Sequence, residues 1–252
     1  MNFFTKMKPI LFEAGQAILD VYKTDDFDIF IKKDSSPVTK ADKISDEIIV
    51  NGIKSFSDKL IISEEMFDGT NNLVLDDYFW LVDPLDGTKD FLAKNDEFSI
   101  NVSLIKNDSP IFGIIYLPVQ DICYWAEKGV GSFRDYDRIY NDSKRTGSDV
   151  VGTVSRFHET RDDINFFKKN NVTNIKKFGG AIKFCRMAEG EVDVYPRFIG
   201  SSEWDTAAGQ LLISESGCKL TDVTTKHDML YNKVGFRNNN FVAIRNNLII
   251  HY

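Results

Sequence analysis

Apolar side chains recur at helical spacing near the start of the chain and again after residue 40. The first set predicts an amphipathic helix and consists of Ile10, Leu11, Ala14, Ala17, Ile18, Val21 and Tyr22. The second set predicts another helix and consists of Ile44, Ile48, Ile49 and Ile53. Thr39 and Asp42 resemble a capping box with Asp in place of Glu, which indicates where this second helix begins.

Apolar runs in the middle of the chain predict strands. A short run at residues 61–62 ends in Glu64 and Glu65, and residues 78–82 predict a buried strand that ends at Asp83. Three strand-like segments separated by turn sequences are typical of an antiparallel meander, at residues 99–105, 111–117 and 122–126.

The second half of the chain alternates between the two patterns. Strand-like segments lie at residues 150–155, 176–178 and 192–195, near Lys219, and at 241–244, and helical ones at 162–169, 181–188 and 204–216. Together the two halves predict a mixed α/β (α+β) chain of two layered subdomains. Residues 1–145 form an α+β subdomain with an antiparallel sheet, and residues 146–252 form an α/β subdomain.

Composition and charge argue against some classes of function and indicate a cellular compartment. Lys and Arg number 31 against 38 Asp and Glu, so the net charge of −7 argues against sequence-independent binding to a nucleic acid polymer. Cys123, Cys185 and Cys218 are odd in number and lack metal-ligand spacing, which favours free thiols in a reducing compartment. No leader-like or membrane-spanning apolar stretch is visible. We therefore expect a cytoplasmic protein, with peripheral association with an inner membrane left open.

Two carboxylates follow the predicted buried strand. Asp83 and Asp86 flank Pro84 and Leu85, and Gly87 permits a tight turn before a helix that begins near Thr88. Carboxylates for a hard cation beside free helical N–H groups for a phosphate suit metal-assisted phosphate-ester hydrolysis. An ordinary surface turn would use the same residue types.

Other acids and bases have two interpretations each. Asp205 opens a predicted helix, where it is either a helix cap or a member of an acidic cluster with Glu64. Asp42 either caps its helix or acts as a base or outer metal ligand. Lys33 and Lys183 are solvated by default, although both suit contact with a phosphate. His158, His227 and His251 follow no metal-ligand pattern and receive no role.

Four blocks in this order resemble the inositol monophosphatase superfamily of lithium-sensitive, magnesium-dependent phosphatases. They are Asp34-Ser35-Ser36-Pro37-Val38-Thr39-Lys40-Ala41-Asp42, Ser63-Glu64-Glu65, Asp83-Pro84-Leu85-Asp86-Gly87-Thr88 and Trp204-Asp205-Thr206-Ala207-Ala208-Gly209. Three further stretches resemble its bisphosphate nucleotidase branch: Lys183-Phe184-Cys185, Tyr195-Pro196-Arg197-Phe198 and Tyr231-Asn232-Lys233. The resemblance implies a layered αβαβα sandwich with the active site between its two parts.

The resemblance also implies a role for each matching residue. Two or three Mg²⁺ ions would be held by Glu64, Asp83, the Leu85 carbonyl, Asp86 and Asp205, with the third near Glu64 and Asp42. Thr88, Asp42 and Glu64 would be catalytic, because they would orient an acidified water and take up its proton. The substrate would contact Glu64, Leu85, Asp86, Gly87, Thr88, Lys183, Asp205 and Lys233.

The expected reaction is hydrolysis of 3'-phosphoadenosine 5'-phosphate to AMP and phosphate, by a monomer or homodimer acting on a small phosphorylated molecule. Nucleotidases of this type usually carry Gly-Ser-Ser where this chain has Gly179, Gly180 and Ala181, so two hydroxyls are missing. That departure keeps open an inositol or sugar phosphate as the substrate. A non-catalytic binding protein on the same fold is the third hypothesis, and the intact set of carboxylates weighs against it.

Overall fold

The computed structural model describes residues 3–24, 27–31, 37–67, 69 and 77–251. Lys33 and residues 34–36 of the first matching block lie outside this range. Within it the helices are α1 (Phe3–Lys23), α2 (Lys40–Lys54), α3 (Thr88–Leu92), α4 (Arg161–Lys169), α5 (Ile182–Ala188) and α6 (Ala207–Glu215). Short 3₁₀ turns lie at Gly147–Asp149, Glu203–Asp205 and Val234–Phe236.

The strands of the described residues form three sheets. In the first half of the chain they are β1 (Phe30–Ile31), β2 (Pro37–Val38), β3 (Leu60–Ser63), β4 (Tyr78–Asp86), β5 (Ser99–Lys106), β6 (Ser109–Leu117), β7 (Ile122–Glu127), β8 (Gly131–Arg134) and β9 (Asp137–Ile139). In the second half they are β10 (Val151–Ser155), β11 (Asn174–Phe178), β12 (Val194–Arg197), β13 (Cys218–Asp222) and β14 (Phe241–Arg245). β1 and β2 form a two-stranded sheet of their own among the described residues.

The larger sheet has seven strands in the order β3-β4-β5-β6-β7-β8-β9. The predicted meander is confirmed as β5, β6 and β7, and it continues into β8 and β9, which the sequence pattern did not reveal. The sheet is antiparallel from β4 to β9, whereas β3 and β4 run parallel at one edge. The long connection between them allows the crossover that parallel strands require.

The second sheet has five strands in the order β11-β10-β12-β14-β13. β10 pairs in parallel with β11 and β12, and β14 pairs antiparallel with β12 and β13. The helix predicted over residues 204–216 is interrupted. Glu203–Asp205 is a 3₁₀ turn, and Thr206 is not helical (φ −122°, ψ −26°), so that α6 begins at Ala207.

Helices and sheets stack in five layers. On β4, Trp80 and Val82 pack into a core with α1 and α2, whereas Phe79 and Leu81 face the opposite core with α5 and α6. α5 and α6 therefore lie between the two sheets, and α4 covers the outer face of the second sheet through Phe166 and Phe167. This is the αβαβα sandwich that the family resemblance implies. The division into units at residues 1–145 and 146–252 stays a prediction.

Candidate active site

An irregularity in β4 brings Asp83 and Asp86 to the same face of the sheet. Asp83 pairs with Asn101 and Asp86 with Ser99, so three residue steps on β4 match only two on β5. In a regular strand, residues three apart point to opposite faces, and the one extra residue of a β-bulge cancels that difference. The strand does not end at Asp83, as the sequence pattern suggested, but continues through the bulge to Asp86.

Three carboxylates from distant parts of the chain converge at this point. Glu64, Asp83 and Asp205 each place one oxygen within 4.8 Å of the other two. Glu64 follows β3 directly, and its N–H donates to the Val82 carbonyl (3.0 Å). Asp205 ends the 3₁₀ turn, and its Oδ2 accepts a hydrogen bond from the Ser202 N–H (2.7 Å).

The electrostatics of these groups favour a bound cation. Burial raises the pKa of Asp83 well above its ordinary value, and the nearby charges of Glu64, Asp86 and Asp205 raise it further. Burial and then Asp86 and Glu64 likewise raise the pKa of Asp205. Buried like charges are unfavourable unless an opposite charge compensates them. An all-oxygen ligand set of carboxylates with the Leu85 carbonyl nearby fits Mg²⁺.

Thr88 and Asp42 lie next to the carboxylates. The Thr88 hydroxyl is 3.4 Å from Asp42 Oδ1 and 3.3 Å from the Leu85 carbonyl oxygen. The predicted capping box is confirmed, since Asp42 Oδ2 accepts from both the N–H and the hydroxyl of Thr39. Burial, opposed in part by the Thr39 hydrogen bonds, raises the pKa of Asp42 to about 6. Asp42 is therefore both a cap and a carboxyl that titrates near neutral pH.

Gly87 provides the turn between β4 and α3. Its φ of +92° is a left-handed conformation that a side chain disfavours, and the residue precedes the first turn of α3. The free N–H groups at this corner lie on the same cavity wall as Thr88 and Asp86.

A cavity of about 250 Å³ lies between the two sheets. One wall is lined by Glu64, Asp83, Asp86, Gly87, Thr88 and Asp205, and the opposite wall is cationic. Lys183 is buried, and its ammonium donates to the carbonyls of Phe178 (3.3 Å) and Gly180. Burial lowers the pKa of Lys183 to about 8. The buried Nε of Arg197 has no hydrogen-bond partner among the described residues. The cavity thus has an acidic side and a basic side.

His158 lies on the basic side of the cavity, where its imidazole ring is neutral at pH 7. Its Nδ1 is 3.3 Å from the Ser155 hydroxyl and its Nε2 is 3.2 Å from the Lys89 ammonium. Burial first, and then the charges of Arg197, Lys89 and Lys183, lower its pKa to about 4. Because an ammonium can only donate, the Nε2 atom accepts and the proton belongs on Nδ1.

The structure brings together most of the residues that the sequence singled out. Glu64, Asp83, Leu85, Asp86, Gly87, Thr88, Lys183 and Asp205 line the cavity. Asp42 lies behind Thr88. Lys233 is not brought to the cavity wall, and its ammonium instead pairs with Glu203 Oε1 at 2.8 Å.

Sequence reasoning missed several lining residues. Ser155 is the last residue of β10 and His158 follows three residues later. β10 pairs in parallel with its neighbours, and the carboxyl ends of such strands commonly carry functional side chains. Arg197 lies at the end of β12, inside a stretch that carried the resemblance but received no role. The positions of these residues at strand ends were the available signal.

Comparison with known proteins agrees with this fold. The model of the inositol monophosphatase family matches residues 4–248. The chain belongs to this family. A relative named 3'(2'),5'-bisphosphate nucleotidase CysQ, from Buchnera aphidicola, is 35% identical over 91% of this chain and 89% of its own. The crystal structure of CysQ from Bacteroides thetaiotaomicron superposes with a TM-score of 0.80 at 30% identity, covering 97% and 98% of the two chains.

A third relative carries a different name. The Nus factor SuhB of Pasteurella multocida is 32% identical over 86% of this chain and 84% of its own. The family model and the nucleotidase relatives support phosphatase activity for this chain. None of the helices in the described ranges combines the length and apolar character needed to cross a membrane.

Proposed function

We propose that this chain is a Mg²⁺-dependent phosphomonoesterase that hydrolyses 3'-phosphoadenosine 5'-phosphate to AMP and phosphate. The observation that carries the proposal is the division of one cavity into a carboxylate wall and a cationic wall. Cations on the first wall would hold the phosphate that is cleaved. Lys183 and Arg197 on the second wall would bind the other phosphate. An inositol monophosphate has no second anion for that wall.

The carboxylates of Glu64, Asp83, Asp86 and Asp205, with the Leu85 carbonyl, would hold two Mg²⁺ ions, and a third would lie near Glu64 and Asp42. Bound Mg²⁺ supplies an acidified water as the nucleophile and neutralises the charge that develops on the leaving oxygen. The protein binds and orients the substrate around these ions. The N–H groups of Gly87 and Thr88 would donate to the remaining oxygens of the cleaved phosphate.

Thr88 and Asp42 would handle the proton of the attacking water. The Thr88 hydroxyl can donate to Asp42 or to Leu85, so it is restrained in orientation and its oxygen can accept from a water. Asp42, with its pKa raised to about 6, is a stronger base than an ordinary carboxylate at neutral pH. Glu64 shares this role as a neighbouring carboxylate. The enzyme would act in the cytoplasm as a monomer or homodimer.

Parallel turnover of two substrates tests the proposal. Phosphate release is measured from 3'-phosphoadenosine 5'-phosphate and from inositol 1-phosphate, each with Mg²⁺ and with EDTA. We expect Mg²⁺-dependent preference for the nucleotide, and an increase in its KM in Lys183→Met and Arg197→Met. Preference for inositol phosphate would refute the substrate and would make Gly180 and Ala181 the residues that indicate specificity. No hydrolysis of either would favour the binding-protein alternative.

A further inference from the structure

A chain of buried hydrogen bonds joins Asp86 to the start of α5. Asn101 Nδ2 donates to Asp86 Oδ2 (3.1 Å), and the Ser99 hydroxyl donates to Asn101 Oδ1 (3.1 Å). The Ser99 hydroxyl in turn accepts from the Ala181 N–H (3.2 Å). Both Ser99 and Asn101 are fully buried on β5. The chain therefore crosses from the acidic wall to the helix that carries Lys183.

We propose that Asn101 and Ser99 are positioning residues: Asn101 fixes the Asp86 carboxylate for its cation, and Ser99 holds the first turn of α5 in place. The role of Ser99 is tested with the substrate and therefore rests on the proposed function. The role of Asn101 is tested by cation binding and does not rest on it. Both roles are assigned to side chains that are not among the residues lining the cavity.

The direction of each hydrogen bond follows from the donors available. A carboxylate can only accept, so the amide nitrogen of Asn101 must face Asp86. That leaves Asn101 Oδ1 as an acceptor, which the Ser99 hydroxyl satisfies. With Asp86 Oδ2 accepting this bond, rotation of the carboxylate is restricted, and Oδ1 is held in a fixed position from which it can bind a cation. Partners that orient a metal ligand in this way contribute strongly to metal affinity.

The bulge in β4 makes this contact possible. Asn101 lies opposite Asp83 in the register, yet its side chain reaches Asp86, because the extra residue returns Asp86 to the face of Ser99 and Asn101. A regular strand would point Asp86 into the opposite core. Asn101 therefore binds the one acid whose orientation depends on the bulge.

The loop before α5 packs tightly against the same residues. A Cβ atom on Gly180 would lie 3.0 Å from the Asp86 carbonyl oxygen and 3.1 Å from Ser99 Oγ, and Gly180 has a φ of +42°. The loop can approach this closely only because residue 180 lacks a side chain. The Ala181 N–H donates to Ser99 at this contact, so a shift of Ser99 would move the turn that precedes Lys183.

Four variants separate the two roles. Asn101→Leu removes the donor to Asp86 at similar volume, and Asn101→Ser removes it while keeping a polar side chain in case the first variant does not fold. Ser99→Ala removes the hydroxyl, and Ser99→Thr retains it. Ser103→Ala is the matched control, because Ser103 is also a buried hydroxyl on the same face of β5, opposite Leu81 rather than an acid.

Divalent cation affinity is measured without substrate, by electron paramagnetic resonance of free Mn²⁺ and by calorimetry with Mg²⁺. Circular dichroism confirms that each variant is folded. We expect both Asn101 variants to weaken cation binding by about tenfold or more. Ser103→Ala should match the wild type. Steady-state kinetics at saturating Mg²⁺ should show a several-fold higher KM in Ser99→Ala with kcat little changed, and recovery in Ser99→Thr.

The outcomes distinguish this inference from the proposed function. Wild-type cation affinity in folded Asn101→Leu or Asn101→Ser would overturn the role of Asn101, whatever the substrate. An unchanged KM in Ser99→Ala, or equal effects in Ser103→Ala, would overturn the role of Ser99. If the wild type binds Mn²⁺ but does not hydrolyse the nucleotide, the proposed substrate fails while the Asn101 result still stands.

Discussion

Replacing Asp83 by Asn should have opposite effects on the cation-free and cation-loaded protein. Asp83 is buried beside Glu64 and Asp205, and its pKa is raised well above the ordinary value. A carboxyl with a raised pKa in the folded state stabilises the fold at low pH, and that contribution is lost as the pH rises through the folded pKa. The cation-free wild type should therefore be less stable at pH 8 than at pH 5.

The magnitude follows from the separation of the carboxylates. Two unit charges 4.8 Å apart repel by roughly 3–4 kcal/mol at an effective dielectric constant of about 20. Asn is nearly the same size, and its Oδ1 can still accept from the Leu85 N–H, as Asp83 does at 3.2 Å. Removing one charge should stabilise the cation-free protein by about 3 kcal/mol at pH 8, or roughly 6–12 °C in Tm.

Thermal unfolding by circular dichroism at pH 5 and pH 8, with EDTA or with excess Mg²⁺, measures this. We expect Asp83→Asn to raise the Tm in EDTA at pH 8 and to lose most of the stabilisation by Mg²⁺. Asp121→Asn is the control, because Asp121 is exposed and its contact with the Tyr116 hydroxyl survives the change. A lower Tm for Asp83→Asn in EDTA at pH 8, or an unchanged response to Mg²⁺, would refute the assignment of Asp83 as a cation ligand in a repulsive cluster.

Substitutions at three other residues probe the fold and the site. Asp193→Asn should destabilise the protein by about 3 kcal/mol in chemical denaturation, because it leaves the buried Arg245 guanidinium without its charge partner at 2.8 Å. The pKa of Asp193 is lowered in the folded protein, so in the wild type this stabilisation should be lost as the pH falls through that lowered pKa. A variant as stable as the wild type at pH 7 would contradict this prediction. For the nucleotide, kcat/KM should fall above about pH 8 as Lys183 loses its proton, and Lys183→Arg should move that fall to higher pH. If kcat/KM has the same pH dependence in the variant as in the wild type, Lys183 is not the titrating group. Thr88→Val should lower kcat by about 10²-fold or more and Thr88→Ser far less, because only Ser keeps the hydroxyl near Asp42; equal kcat values for the two variants would argue against a role for the hydroxyl.

The sequence was sufficient to predict the layered fold and the carboxylates that line the cavity, because hydrophobic periodicity and ordered motifs are local signals. It did not predict that Asp83 and Asp86 share a face. Three residues apart in a strand, they should diverge, and the bulge is visible only in the pairing with Ser99 and Asn101.

The basic wall was predicted only in part, because the resemblance implied a substrate contact for Lys183 but no role for Arg197 or His158. Lys183 and Arg197 are ordinary surface residues by type, and His158 has no motif of its own. Their place on the cavity wall depends on how α5, which lies between the two sheets, packs against β10 and β12 of the second sheet. Lys233 illustrates the converse, because a matching stretch of sequence placed it near the substrate whereas tertiary contacts pair it with Glu203. The non-helical backbone at Thr206 was not predicted because the sequence around it follows a helical pattern.

The carboxylate cluster also has a consequence for how the protein matures. Glu64 and Asp205 are separated by about 140 residues, and ordering so long a loop is entropically costly until most other contacts exist. A nascent chain that has emerged only as far as β12 contains Glu64, Asp83 and Asp86 but not Asp205, and so lacks the third carboxylate that closes the cluster. High-affinity binding of a divalent cation should therefore be one of the last events of synthesis and folding. Cation binding would then report that the first and second halves of the chain have packed together.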